Sequence, residues 1–153
     1  MNYWLLKSEP STFSIGDLRQ AKDGRDHWDG VRNYQARNFI RDMKQGDQAF
    51  FYHSNCPQPG IVGIVDICRA AYPDFTAYDP DSTYYDPKSD PDNPRWYMMD
   101  VRYQCKFTRL IGLAELKRHD ALQALPLVRR GNRLSIMPVA EMEWHFILQL
   151  ADQ

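Results

Sequence analysis

Val101-Arg102-Tyr103-Gln104-Cys105-Lys106-Phe107-Thr108 alternates apolar with polar residues over eight positions. Side chains on a strand point to opposite faces with a period of two, so this stretch predicts a strand with one face on a core and the other in water. The same signal reaches back to Trp96. Tyr3-Trp4-Leu5-Leu6-Lys7 is short and nearly all apolar, as expected of a strand buried on both faces. Gln48–His53 is rich in aromatic residues and Ile61–Cys68 in β-branched ones, with Pro57 and Pro59-Gly60 marking a loop between two strands. Leu134–Ile136 reads as a brief further strand.

Helical signals lie between and after these strands. Ser14 followed by Asp17 resembles a capping box, opening a helix that runs through Ala21. Ala36, Phe39, Ile40 and Met43 fall at i, i+3, i+4 and i+7, one apolar stripe between Asn33 and Lys44 that Gly46 ends. Leu113–His119 and Ala121–Leu125 read as helical turns. Pro138 opens a final helix with Val139, Met142 and Phe146 facing inward. These elements predict an α+β fold: a curved mixed sheet or small open barrel with helices on its rim.

The chain has 153 residues, 43% of them hydrophobic, and no internal repeat, which suits a single domain over 1–153. No apolar run approaches the ~18 residues of a membrane span, and the N-terminus lacks the layout of a signal peptide. Cys56, Cys68 and Cys105 are odd in number and lack C-x-x-C spacing, which argues against a disulfide scaffold or a zinc site and fits a reducing cytoplasm. The net charge of −1 conceals an uneven distribution. Between Pro73 and Pro94 six aspartates face Lys88 alone, so the rest of the chain is net positive, and 13 of the 19 basic residues of the whole chain are Arg. The planar fork of Arg suits phosphates and base edges, so nucleic acid is an admissible partner. The 73–94 tract, rich in Pro and Tyr, cannot be a helix. It is expected as an ordered surface excursion anchored by Tyr78, Tyr84, Tyr85 and Trp96, its acidity steering nucleic acid to the opposite side.

Four clusters carry chemistry. Lys7-Ser8-Glu9-Pro10 follows the first strand and presents Ser8 and Glu9 at a sheet edge, or simply ends the strand in a turn. His27-Trp28-Asp29-Gly30-Val31-Arg32-Asn33-Tyr34-Gln35-Ala36-Arg37 is a loop running into a helix. There Trp28 and Tyr34 offer flat faces and Asn33 reads a base edge or caps the helix, while Arg32 and Arg37 hold phosphate or serve as surface charge. In Tyr52-His53-Ser54-Asn55-Cys56-Pro57, a His53–Cys56 nucleophile pair has no third orienting group, so His53 is expected packed, with Ser54 and Asn55 lining a concavity. Arg129-Arg130-Gly131-Asn132-Arg133-Leu134-Ser135 is a basic turn suited to a phosphate backbone. No Gly-rich phosphate loop, metal-binding pattern or paired-carboxylate motif is present.

The stretches Tyr3–Pro10, Trp28–Asn38, Tyr52–Asn55, Pro59–Gly63 and Arg133–Ser135, in order along nearly the whole chain, resemble the EVE family. The resemblance implies a PUA-like fold, a small curved β-barrel with helices packed around its rim, related to YTH and ASCH domains. It also implies a non-catalytic domain, without metal or cofactor, that recognises a modified base of RNA or DNA, single-stranded or with the base extruded. An extruded base needs a flat wall, polar groups for its edge and cations for flanking phosphates. Trp28 and Tyr34 are the candidates for the wall, Ser8, Asn33, Ser54 and Asn55 for the edge, and Lys7, Arg32, Arg37 and Arg133 for the phosphates. Glu9, Val31, His53, Leu134 and Ser135 complete the candidate site. Two other classes fit the same residues: a nucleobase- or nucleotide-acting enzyme using His53 or Glu9 as acid–base, and a protein-interaction module built on the 73–94 tract.

Overall fold

β1 (Tyr3–Ser8) lies inside the sheet between two partners, parallel to β3 (Gln48–His53) and antiparallel to β6 (Ile136–Val139). Residues 1–153 are described by a computed structural model. Three further strands complete a six-stranded mixed sheet: β2 (Arg25–Trp28), β4 (Gly60–Pro73) and β5 (Tyr97–Gly112). Its order is β2-β5-β4-β3-β1-β6. The edge strands β2 and β6 do not pair with each other, so the barrel stays open along that seam. The long β4–β5 ribbon shifts register at four places, and such bulges bend and twist a sheet.

The helices are α1 (Ile15–Gln20), α2 (Tyr34–Asp42), α3 (Leu113–Lys117) and α4 (Glu141–Ala151). The capping box at Ser14 and Asp17 forms as the sequence predicts, and Asn33 caps α2 by accepting from the Ala36 N–H at 2.9 Å. None of the helices is long and apolar enough to cross a membrane.

Alternation along the strands divides the interior in two. Trp4, Leu6, Ala49 and Phe51 point into one core with Ile15, Trp28 and Ile40; Leu5, Phe50 and Tyr52 point into the other with Met137 and Trp144. The double burial read from residues 3–7 is thus present, and β5 alternates between covered and exposed from Val101 to Thr108. Asp47, only 3% exposed, accepts from the Trp4 indole N–H and from the backbone N–H groups of Asn2 and Lys44, which anchors the start of β1.

Three expectations are corrected. His27 and Trp28, read as loop, end strand β2 and pair with Asp100 and Met99. The brief strand expected at Leu134–Ile136 begins only at Ile136, and Pro138 lies inside it rather than at the start of a helix. There it faces Trp4 on an edge strand, where a missing N–H costs no ladder bond. The final helix therefore starts at Glu141 and presents Trp144, Ile147 and Leu150 to the core, while Met142 is 85% exposed.

Candidate functional site

The C-terminal ends of β1 and β2 and the approach to β6 meet at the open seam. A cavity of about 570 Å³ lies there, within the size range of small-molecule pockets. Its lining combines Lys7, Ser8 and Glu9 from the end of β1 with Asp26, His27 and Trp28 from β2. Asp29, Gly30, Val31 and Arg32 continue the wall, Thr12 and Phe13 come from the turn before α1, and Ser135 precedes β6. Thr83 and Tyr84 arrive from the acidic tract.

Of the residues selected from sequence, the fold gathers Lys7, Ser8, Glu9, Trp28, Val31, Arg32 and Ser135 around this cavity. Ser54 and Asn55 do not line it. They brace its rim from the turn after β3, the Ser54 N–H donating to the Ser8 carbonyl at 3.0 Å and the Asn55 side-chain amide to Glu9 at 2.9 Å. His53 also lies outside, and its Nε2 accepts the Ile15 N–H at 3.1 Å. Burial, and then the charge of Lys106, hold its imidazole below the usual range. Tyr34 and Arg37 form a separate stack on the surface of α2, with Tyr34 lying 4.9 Å from Trp96 and the Arg37 guanidinium 4.9 Å over Tyr34. Asn33 caps α2 through its Oδ1 and does not line the cavity. Arg133 is exposed beyond the cavity, and Leu134 packs against the second core.

Trp28 reaches the cavity with little of its ring. It is only 7% exposed and wedged edge-on between Phe13 and Phe51. A base stacking face-on needs an open ring, so Trp28 serves as floor; the half-covered rings of Phe13 and Tyr84 are the flatter surfaces on offer.

Arg32 also departs from its expected phosphate role. Its five N–H groups are all committed: to the carbonyl of Val31, to Asp74 and Thr76, and twice to the carbonyl of Tyr84. They staple the 73–94 tract to the site. Asp74 is fully buried. Burial alone would raise its carboxyl, yet hydrogen bonds from Thr76, Gly30 and Arg32 together pull it below the usual range. The tract itself is fixed by Asx turns and by the Trp96 indole donating to Asp86 at 2.7 Å. The tract is thus a wall of the cavity, on the same side as the candidate site and not opposite it.

Gly30 makes this wall possible. Its φ of +79° is left-handed, and a Cβ there would sit 2.6 Å from the Tyr84 ring. Gly30→Ala is expected to lower unfolding stability by at least about 1–2 kcal/mol from backbone strain alone and to displace Tyr84. Chemical denaturation of the variant checks this, and an unchanged midpoint would refute it.

The electrostatics of the lining are mixed. Burial lowers the Lys7 ammonium from its ordinary value. Burial raises Asp29 as well, with Asp74 and Asp26 adding to the rise and His27 opposing it. Tyr52, beneath Lys7, is pushed up to about 12, chiefly by burial.

Residues 2–150 match the EVE domain. This chain belongs to the EVE family. It is 46% identical to human thymocyte nuclear protein 1 over 169 residues, covering 99% of this chain and 75% of that protein. A crystal structure of a protein from Pseudomonas syringae shares 52% identity with a TM-score of 0.94, covering 97% of this chain and 99% of its own. A crystal structure of human THYN1 in complex with DNA containing 5-methylcytosine matches at 46% identity and a TM-score of 0.92, covering 100% and 99%. The EVE chain described here accordingly has the α+β, PUA-like architecture that its sequence suggests, with the barrel left open.

Proposed function

We propose that this chain binds nucleic acid and holds one modified base, 5-methylcytosine in the first instance, in the cavity at the open seam without transforming it. The observation that carries the reading is the lining itself, which combines half-covered aromatic rings, convergent polar side chains and a half-buried ammonium. The likeness to human THYN1, solved with 5-methylcytosine DNA, supports the choice of base. Catalysis through His53 finds no support, because its lone pair is occupied by a backbone N–H outside the cavity. Glu9 is braced by Asn55 at the rim.

A base held within the cavity has left its stack. Extrusion is easier from a single strand or a weakened pair than from an intact duplex. Fluorescence anisotropy with single-stranded and duplex oligonucleotides, each with cytosine or 5-methylcytosine at one position, tests the reading. Methylated single strands are expected to bind most tightly. Lys7 makes no salt bridge within the protein, so Lys7→Ala is expected to flatten the slope of log affinity against log salt by about one unit. Equal affinity for methylated and unmethylated strands refutes the reading.

A further inference from the structure

We propose that Asp29 reads the Watson–Crick edge of the pyrimidine in this cavity, accepting its exocyclic amine and so admitting an amino pyrimidine over its keto counterpart. This inference rests on the reading of the cavity as a base-binding site. It begins from the difference between 5-methylcytosine and thymine. Both carry a methyl group at C5, so contact with the methyl cannot separate them. They differ at position 4, an amine that donates against a carbonyl that accepts, and at N3, an acceptor against an N–H. A site that holds 5-methylcytosine without taking thymine needs an acceptor fixed opposite position 4.

Among the carboxylates of the lining, Asp29 is the one to which no other residue donates a hydrogen bond. Three carboxylates border the cavity. Glu9 already accepts from the Asn55 amide and Asp26 from the His27 N–H. Asp29 receives no hydrogen bond from another residue; its Oδ2 lies 3.3 Å from His27 Nε2, and its side chain keeps 28% of its surface. The donors of Arg32 are exhausted, so none of them is left for Asp29. Burial makes its ionised form costly, a cost that Asp74 and Asp26 add to and that His27 and a backbone N–H only partly offset. A base amine donating to Asp29 relieves that cost, as carboxylates do when they accept from cytosine N4. Thymine would set its O4 against an oxygen that only accepts.

The position on the chain favours precision. Asp29 follows Trp28, the last residue of β2, whose ring is locked between Phe13 and Phe51. Gly30 behind it is held by its N–H donating to Asp74 at 2.9 Å. The carboxylate is therefore carried by backbone fixed on both sides.

The test uses the full chain and one single-stranded oligonucleotide sequence carrying cytosine, 5-methylcytosine or thymine at a single position. The parent is expected to favour 5-methylcytosine on the order of 5- to 150-fold, the discrimination of one well-placed polar contact. Asp29→Ala should lose most of that ratio through weaker binding of 5-methylcytosine. Asp29→Asn should shrink or reverse it, because an amide can turn its NH₂ toward O4 of thymine. Thermal denaturation accompanies both variants, and the isosteric Asn carries the test if Ala does not fold. The inference is overturned if Asp29→Asn keeps the parental ratio. It is also overturned if the parent takes thymine as readily as 5-methylcytosine while still preferring 5-methylcytosine to cytosine, which leaves the cavity reading intact. Indifference among all three pyrimidines removes that reading and this inference together.

Discussion

Arg32→Ala is expected to lower the unfolding free energy by about 3–5 kcal/mol, the usual result of stripping one partner from a buried ion pair. Asp74, its partner at 3.0 Å, has no solvent exposure, while Arg32 keeps 23% of its side-chain surface. Removing the guanidinium strands a buried carboxylate and frees the Tyr84 carbonyl that it holds twice. Arg32→Lys should recover little, because one ammonium cannot span Asp74, Thr76 and two carbonyls. The contribution depends on pH in a definite direction. The carboxyl of Asp74 is depressed in the folded protein, so its stabilisation is complete above the unfolded value near ~3.9 and is lost as pH falls through the lower folded value. Urea denaturation at neutral and acidic pH measures both effects, and limited proteolysis should cut the variant within residues 73–94. A variant within ~1 kcal/mol of the parent would show that the tract is held by other means.

Period-two and period-3.6 patterns are local, so β1, β3, β5 and the stripe of α2 were legible from neighbouring residues alone. β2 was not, because Arg25-Asp26-His27-Trp28 is four residues long and mostly polar, and it is a strand only because β5 offers it a ladder. Pro138 satisfied a local rule for helix starts, yet an edge strand tolerates proline equally well, and only the register with Trp4 decides between them.

At the site the same division holds. Lys7 and Ser8 were legible because a strand end followed by proline presents its last residues at a rim. Asn33 had two uses, and the cap, which needs only the next three residues, took it. Tyr84 was read as an anchor, and its place in the wall follows from hydrogen bonds to Arg32 across 52 positions. No short-range signal encodes that contact. Asp29 stood within the quoted motif but was overshadowed by Trp28, whose size drew the role of wall while its burial makes it the floor.

Trp28→Ala is therefore expected to act first on folding. Truncating a buried tryptophan costs about 3–5 kcal/mol, more than the ~1–3 kcal/mol of a lost base–aromatic stack. The cavity it leaves is lined by Phe13, Phe51 and Val31 and lies directly beneath the site. If binding requires the folded chain, the apparent dissociation constant rises by the reciprocal of the folded fraction, so destabilisation imitates a recognition defect. Two measurements separate them: the midpoint in urea, and titration of active sites by a saturating methylated oligonucleotide. The expected pattern is a much lower midpoint, a reduced fraction of active sites and an unchanged salt slope, since no phosphate contact is removed. Trp28→Phe should restore most of the midpoint by refilling the space between Phe13 and Phe51. The opposite pattern, parental stability with binding lost, would mean that the ring of Trp28 turns out of the core to stack on the base, and that the cavity is remade when nucleic acid binds.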